Sequence, residues 1–284
     1  GAISDDGKLV AVANYEPGGI KVFDTDTLAE VADIPAVWTG GRSKVIGLED
    51  VPGRKFIFSL WEAGQTWIAD FSKAGPPAIT KLTGIGDRPY DALITSDGRY
   101  YLAGLFGEDG LTVVDLWHLP PAPRRILKGY GQGDTKLPVY KMPHLESWAL
   151  AGERFVLPAI GRHEVLWVDS RSFEETNRTA VHGQPVFAIA RPDGRHVWVN
   201  FAHPLNDTIQ VIDSVSGAIV KEWKPGPAVL HMEFTPRGHE VWVSVRDANV
   251  VHVYDAQSFE KKAEIAANSP SGIFLASRAH RVGL

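Results

Sequence analysis

The sequence predicts an all-β fold of the propeller class, with about six four-stranded blades and a closing strand in this chain of 284 residues. Three observations lead there. A short pattern recurs six times, its closing aspartates at 24, 70, 115, 169, 213 and 255 lie 46, 45, 54, 44 and 42 residues apart, and no segment carries convincing helical periodicity. Spacings of that size match one blade of four antiparallel strands.

Each copy has a turn ending in Gly, a charged residue, a β-rich run, a second turn and a run closing on Asp. The first is Asp6-Gly7-Lys8 with Leu9 to Ala13, then Ile20 to Asp24; the second is Pro52-Gly53-Arg54 with Phe56-Ile57-Phe58, then Thr66 to Asp70. The third is Asp97-Gly98-Arg99 with Tyr100-Tyr101-Leu102, then Leu111 to Asp115; the fourth is Ala151-Gly152-Glu153 with Arg154-Phe155-Val156, then Val165 to Asp169. The fifth is Asp193-Gly194-Arg195 with His196 to Val199, then Ile209 to Asp213; the sixth is Arg237-Gly238-His239 with Glu240 to Val243, then Val251 to Asp255. β-Branched and aromatic runs between Asp-Gly and Pro-Gly turns give the strands a local cause. The tail Ser269 to Leu275 reads as an innermost strand without a blade after it, and the chain opens at Gly1 inside a repeat, so blade-forming residues are expected before Gly1. Such a chain is expected to leave an edge bare or to have it covered by a neighbour.

The repeated residues have structural work to do. The closing Asp is expected to tie a turn, and Trp67, Trp167, Trp198 and Trp242 are expected to pack blade against blade.

Composition narrows the function. Lys and Arg number 29 against 34 Asp and Glu, a net charge of −5, which gives no field for capturing nucleic acid. Without Cys there are no disulfides, thiolate metal sites or cysteine nucleophiles, so a metal would need His or carboxylate. No apolar run reaches the length of a membrane-spanning helix. There is no HExxH, GxSxG, P-loop or GxGxxG in its strand-to-helix setting.

In a propeller, residues leading into each innermost strand converge on the mouth of the central channel. Counting back from each turn Gly gives 41–44, 88–91, 142–146, 181–185 and 229–233, and the tail adds 268–271. Those segments hold Arg42, Lys44, Arg88, Tyr90, Asp91, His144, His182, Gln184 and His231. Cations, imidazoles and a carboxylate around a channel suit a flat anionic ligand. Other histidines read differently: His163, His196, His239 and His252 as exposed residues of turns or outer strands, and His118 in a surface connection.

The stretches Asn14 to Gly19, Lys141 to Glu146, His182 to Phe187, Val199 to Pro204, Gly226 to Gly238 and Ser269 to Phe274 resemble the NirF family of haem d1 biosynthesis proteins, over essentially the whole chain. That family is similar to the d1-haem domain of cytochrome cd1 nitrite reductase and to NirN. The resemblance implies an eight-bladed propeller, with residues 1–284 a single domain lacking its N-terminal blades. It further implies a periplasmic protein that binds d1 haem or a late precursor and helps convert it, by an oxidoreductase or lyase-type step. By the same resemblance His144 matches a distal-side histidine, and Tyr90 and Asp91 fall beside the second and replace it. His144, Asp91 and Tyr90 are thus the candidate catalytic residues, and Arg42, Lys44, Arg88, His182, Gln184 and His231 the candidate ligand-binding ones. The proximal iron ligand would lie before Gly1. Cytochrome cd1 nitrite reductase, NirN or a second copy are the implied partners; a non-enzymatic carrier and a plain protein-interaction propeller are the alternatives.

Overall fold

The computed structural model describes residues 1–130, 149–159 and 162–273, with Asp91 described for its backbone alone. The chain falls into two compact units, Gly1–Tyr130 and Gly131–Leu284.

In the first unit, β1 (Ala2–Ile3), β2 (Leu9–Asn14), β3 (Gly19–Asp24) and β4 (Glu30–Ile34) form one antiparallel sheet, followed by a hairpin of β5 (Val37–Trp38) and β6 (Gly41–Arg42). A second sheet holds β7 (Val45–Val51), β8 (Lys55–Leu60), β9 (Gln65–Asp70) and β10 (Ala78–Leu82); a third holds β11 (Pro89–Ile94), β12 (Tyr100–Leu105), β13 (Leu111–Asp115) and β14 (Pro123–Ile126). Each is a four-stranded meander in chain order.

The second unit repeats this. Its sheets are β15 (Ala149–Ala151), β16 (Arg154–Ala159), β17 (Glu164–Asp169) and β18 (Glu175–Ala180); β19 (Pro185–Ala190), β20 (His196–Phe201), β21 (Ile209–Asp213) and β22 (Ile219–Trp223); and β23 (Val229–Phe234), β24 (Glu240–Val245), β25 (Val250–Asp255) and β26 (Lys261–Ala266). One 3-10 turn, Arg246–Ala248, is the helical element among the described residues. Of the expected closing strand, residues 269–273 carry no strand and 274–275 lie outside the described residues.

Sheets within a unit stack face to face. Leu9, Ala11, Ile20 and Val22 pack on Phe56, Phe58 and Trp67 of the second sheet, whose other face sends Val51, Ile57 and Ile68 onto Tyr101, Ala103 and Val114 of the third. Val156, Val165 and Trp167 pack on Val197, Val199 and Ile212, and Trp198, Ile209 and Val211 pack on Met232, Val241 and Val243. A sheet covered on both faces loses the apolar-polar alternation, which is why β8 and β20 are buried almost throughout. The fourth strands of this unit are largely exposed and each carries charged residues, and β26 is exposed at every position. Charged outer strands keep bare edges from pairing.

Trp242 departs from its expected role. Val241, Val243 and Val245 turn toward the fifth sheet, so the alternation along β24 puts Trp242 on the opposite face, 36% exposed. Val12 holds the equivalent outward face of the first sheet, 44% exposed. His252, expected at the surface, is buried: its ring accepts or donates at Tyr254 Oη (3.1 Å) and lies 3.1 Å from the Glu264 carboxylate.

The closing aspartates clamp the turns that follow. Asp213 Oδ1 accepts from the Val215 and Ser216 backbone N–H and the Ser216 hydroxyl, and Asp24, Asp169 and Asp255 do the same two and three residues ahead. Two of the turn glycines also seat one sheet on the last: a Cβ on Gly98 would stand 2.5 Å from Pro52, and one on Gly238 2.5 Å from Pro192.

Candidate functional site

One ladder rung recurs at the same end of the sheets. The N–H of Trp61 donates to the Lys44 carbonyl (3.0 Å), Phe106 to Arg88 (2.8 Å), Ala202 to Gln184 (2.8 Å) and Arg246 to Ala228 (2.9 Å). The residue leading into the first strand of a sheet therefore faces the residue leaving its second. Just beyond that rung, all four first strands carry a bulge, between Ile46 and Glu49, Pro89 and Ala92, Pro185 and Ala188, and Val229 and His231. A bulge re-aims side chains at a strand's end.

In the first unit the rung brings together Lys44, Arg88 and Tyr90 with residues the sequence reading did not single out. Trp61, Tyr90 and Phe106, all half-buried, form one aromatic cluster, with ring centroids 5.4 Å apart for Trp61 and Tyr90, 4.8 Å for Trp61 and Phe106 and 6.2 Å for Tyr90 and Phe106. Lys44 Nζ lies 2.6 Å from Glu62 Oε1, 3.8 Å from Glu16 and 5.6 Å from the Tyr15 ring centre. Glu62 also accepts the Lys44 N–H (2.7 Å) and the Ser43 hydroxyl (3.0 Å). Burial alone would raise the Glu62 carboxyl, but the bonds from Lys44 and Ser43 outweigh it and hold it below the usual carboxylate range. Arg88, in the left-handed region at φ +51°, lies 3.8 Å from Asp87. Arg42 stands exposed in β6, and no acid among the described residues lies within ion-pairing distance. Asp91 sits within β11.

In the second unit the corresponding groups are more deeply set. The His182 N–H donates to Gln210 Oε1 (3.0 Å), its ring meets Phe201 edge-on at 5.4 Å, and its Nε2 is buried without a hydrogen-bond partner among the described residues. Gln184 is buried. His231 is buried edge-on to Phe187 (4.7 Å); its N–H donates to Ser244 Oγ (3.0 Å) and its Nδ1 accepts the Ile273 N–H (3.1 Å), so in the neutral ring the proton sits on Nε2. Asn200 ties this rim across two sheets, accepting from Phe187 N–H (3.0 Å) and donating to the Val229 (3.1 Å) and Leu230 (3.2 Å) carbonyls. His144 lies outside the described residues.

The missed residues had a signal. Eight positions after the turn glycines 7, 53, 98, 194 and 238 stand Tyr15, Trp61, Phe106, Ala202 and Arg246. An open depression of about 560 Å³ in the first unit, lined by Gly84, Gly86, Glu108, Asp109, Arg125 and Lys128, includes none of the expected residues; its Arg125 is held by Glu108 (3.0 Å) and the Asp109 carbonyl (2.7 Å). Among the described residues no three His, Asp or Glu lie close enough to hold a metal, and no helix is long and apolar enough to cross a membrane.

The Cytochrome D1 heme domain profile matches residues 1–279. Across its whole length the chain is 56% identical to "Protein NirF" of Stutzerimonas stutzeri, of which it spans 73%. Among solved structures it is similar to "Dihydro-heme d1 dehydrogenase NirN in complex with DHE", with a TM-score of 0.77 and 28% identity over 95% of this chain and 57% of that one. The Myceliophteria thermophila Cps50 (Swd1) beta-propeller domain, 13% identical over 95% of this chain and 86% of that one, shares the fold at a TM-score of 0.63.

Proposed function

The chain belongs to the Cytochrome D1 heme domain family, and on that premise we propose that it binds a tetrapyrrole, d1 haem or a late precursor, at the rim of its propeller and helps convert it during haem d1 biosynthesis. The observation that carries this reading is the match along 95% of the chain to NirN solved in complex with DHE. The residues fit such a ligand. Among the described residues Arg42 is a cation without an acid beside it, suited to a ring carboxylate, and the buried Nε2 of His182 has no hydrogen-bond partner and could bond a ligand group. The ligand would supply the conjugated ring on which the chemistry occurs. Tyr90, Asp91 and His144 would move protons. A periplasmic location, with cytochrome cd1 nitrite reductase or NirN as recipient, goes with this reading.

Anaerobic titration with d1 haem tests binding: a saturable Soret shift is expected, and an unchanged spectrum overturns the reading. Mass spectrometry after incubation with precursor tests conversion. Precursor returned intact but transferred to the nitrite reductase would make this a carrier.

A further inference from the structure

Building on that reading, we infer that the rim of the first unit recognises the macrocycle by its face, through Trp61, Tyr90 and Phe106, and that Lys44 and Arg88 frame this platform without anchoring ligand carboxylates. Two independent sets of distances support it.

The first concerns charge. A cation anchors a carboxylate when its own charge is uncompensated. Lys44 has Glu62 at 2.6 Å and Glu16 at 3.8 Å, and Arg88 has Asp87 at 3.8 Å. Glu62 is itself fixed by Ser43 and by the Lys44 N–H, so it cannot swing away to release the ammonium without losing both bonds. A ligand carboxylate arriving here meets ion pairs, and its gain is that of an exposed, screened contact.

The second concerns shape. Trp61 comes from the end of the second sheet's β8 and Tyr90 and Phe106 from the third, so the cluster bridges two sheets at one rim. The rings are inclined to each other by 49° to 73°, so a flat ligand lying on one meets the others through their edges. Offset faces and edges are the favoured aromatic contacts. Such contacts are indifferent to salt, unlike an ion-paired anchor.

The experiment is d1 haem titration of the full chain and its variants at about 50 mM and about 500 mM salt. Trp61→Ala and Phe106→Ala should each weaken binding about tenfold, Trp61→Phe should stay within about threefold of the parent, and salt should change the parent's affinity less than about threefold. Lys44→Gln and Arg88→Gln should also stay within about threefold. Glu62→Gln, which leaves Lys44 with Glu16 alone, should bind about threefold tighter at low salt and show a steeper salt dependence than the parent. Near-UV circular dichroism checks that each variant is folded, and Trp61→Phe keeps the test sound if Trp61→Ala is not. Steep salt dependence in the parent, with tenfold losses in Lys44→Gln or Arg88→Gln, overturns face-led recognition and leaves tetrapyrrole binding standing. No spectral change at either salt overturns both.

Discussion

Replacing Asn200 should damage the fold and the second rim together. Asn200 is fully buried in β20 and makes three hydrogen bonds, one to the bulge of its own sheet at Phe187 and two to the first strand of the next sheet at Val229 and Leu230. Asn200→Leu keeps the branching and number of side-chain heavy atoms and removes all three. At about 1 kcal/mol for each bond, raised where a buried N–H or carbonyl is left bare, the loss should be about 3–4 kcal/mol. Asn200→Asp separates the two halves of the effect. A carboxylate still accepts from Phe187 but faces two carbonyls it cannot donate to, so its folded-state pKa is raised above the unfolded value. Stability is then present at low pH, where the protonated acid regains a donor, and is lost as pH rises through the folded pKa. Urea unfolding followed by tryptophan fluorescence reads both variants. A loss under about 1 kcal/mol for Asn200→Leu, or an Asn200→Asp variant indifferent to pH, would refute the idea that this side chain bridges the sheets.

Asp213→Ala should lose about 2 kcal/mol, since the side chain clamps two backbone N–H groups and pairs with Arg195; because those N–H bonds hold its carboxyl low, the difference from wild type in urea midpoint should persist at neutral pH and fade only as the carboxyl is protonated in acid. Gly47→Ala should cost about 2–3 kcal/mol by thermal unfolding, because Gly47 has φ +61° and a Cβ would stand 2.9 Å from both Ala92 Cβ and Tyr101 Oη. Burial holds the His252 imidazole below its ordinary value of 6.5, so as pH falls through that value the unfolded chain takes the proton first and stability drops; His252→Gln should flatten this part of the urea-midpoint profile.

The strands, their order and the aspartate clamps were legible because each recurs at a fixed interval and each copy reinforces the others. What depends on the face a residue takes was not. Trp198 and Trp242 hold the same place in sequence, two residues into a run after the turn, yet one is buried between sheets and the other lies outward. His252 reads as an exposed residue of a turn or outer strand, and is buried because β25 turns it with Tyr254 against the core. At the rim, counting back from the turn glycine located Lys44, Arg88 and Gln184 at the rung itself. It could not show that Lys44 meets Glu62, because that partner stands nine positions after the same glycine and joins Lys44 only through strand pairing. The bulges were invisible for the same reason, being set by buried side chains such as Asn200 and Ser244 on the neighbouring strand.

The repeat therefore separates two kinds of residue by the demand placed on them. Gly98 and Gly238 are fixed by the approach of the preceding sheet and Asp213 and Asp255 by the turns they clamp, so these positions repeat. The rung needs only a carbonyl and an N–H, which every residue but proline supplies, so its side chains are free to differ. They do differ: Lys44 with Trp61 and Arg88 with Phe106 in the first unit, Gln184 with Ala202 and Ala228 with Arg246 in the second. Trp61 and Phe106 are large and half-exposed where the backbone alone satisfies the fold, which is what the proposed contact with a ligand would use. Trp61→Ala and Phe106→Ala should then weaken ligand binding with little effect on stability, while Asn200→Leu changes both, and that contrast would mark the two aromatic residues of the rung as ligand contacts.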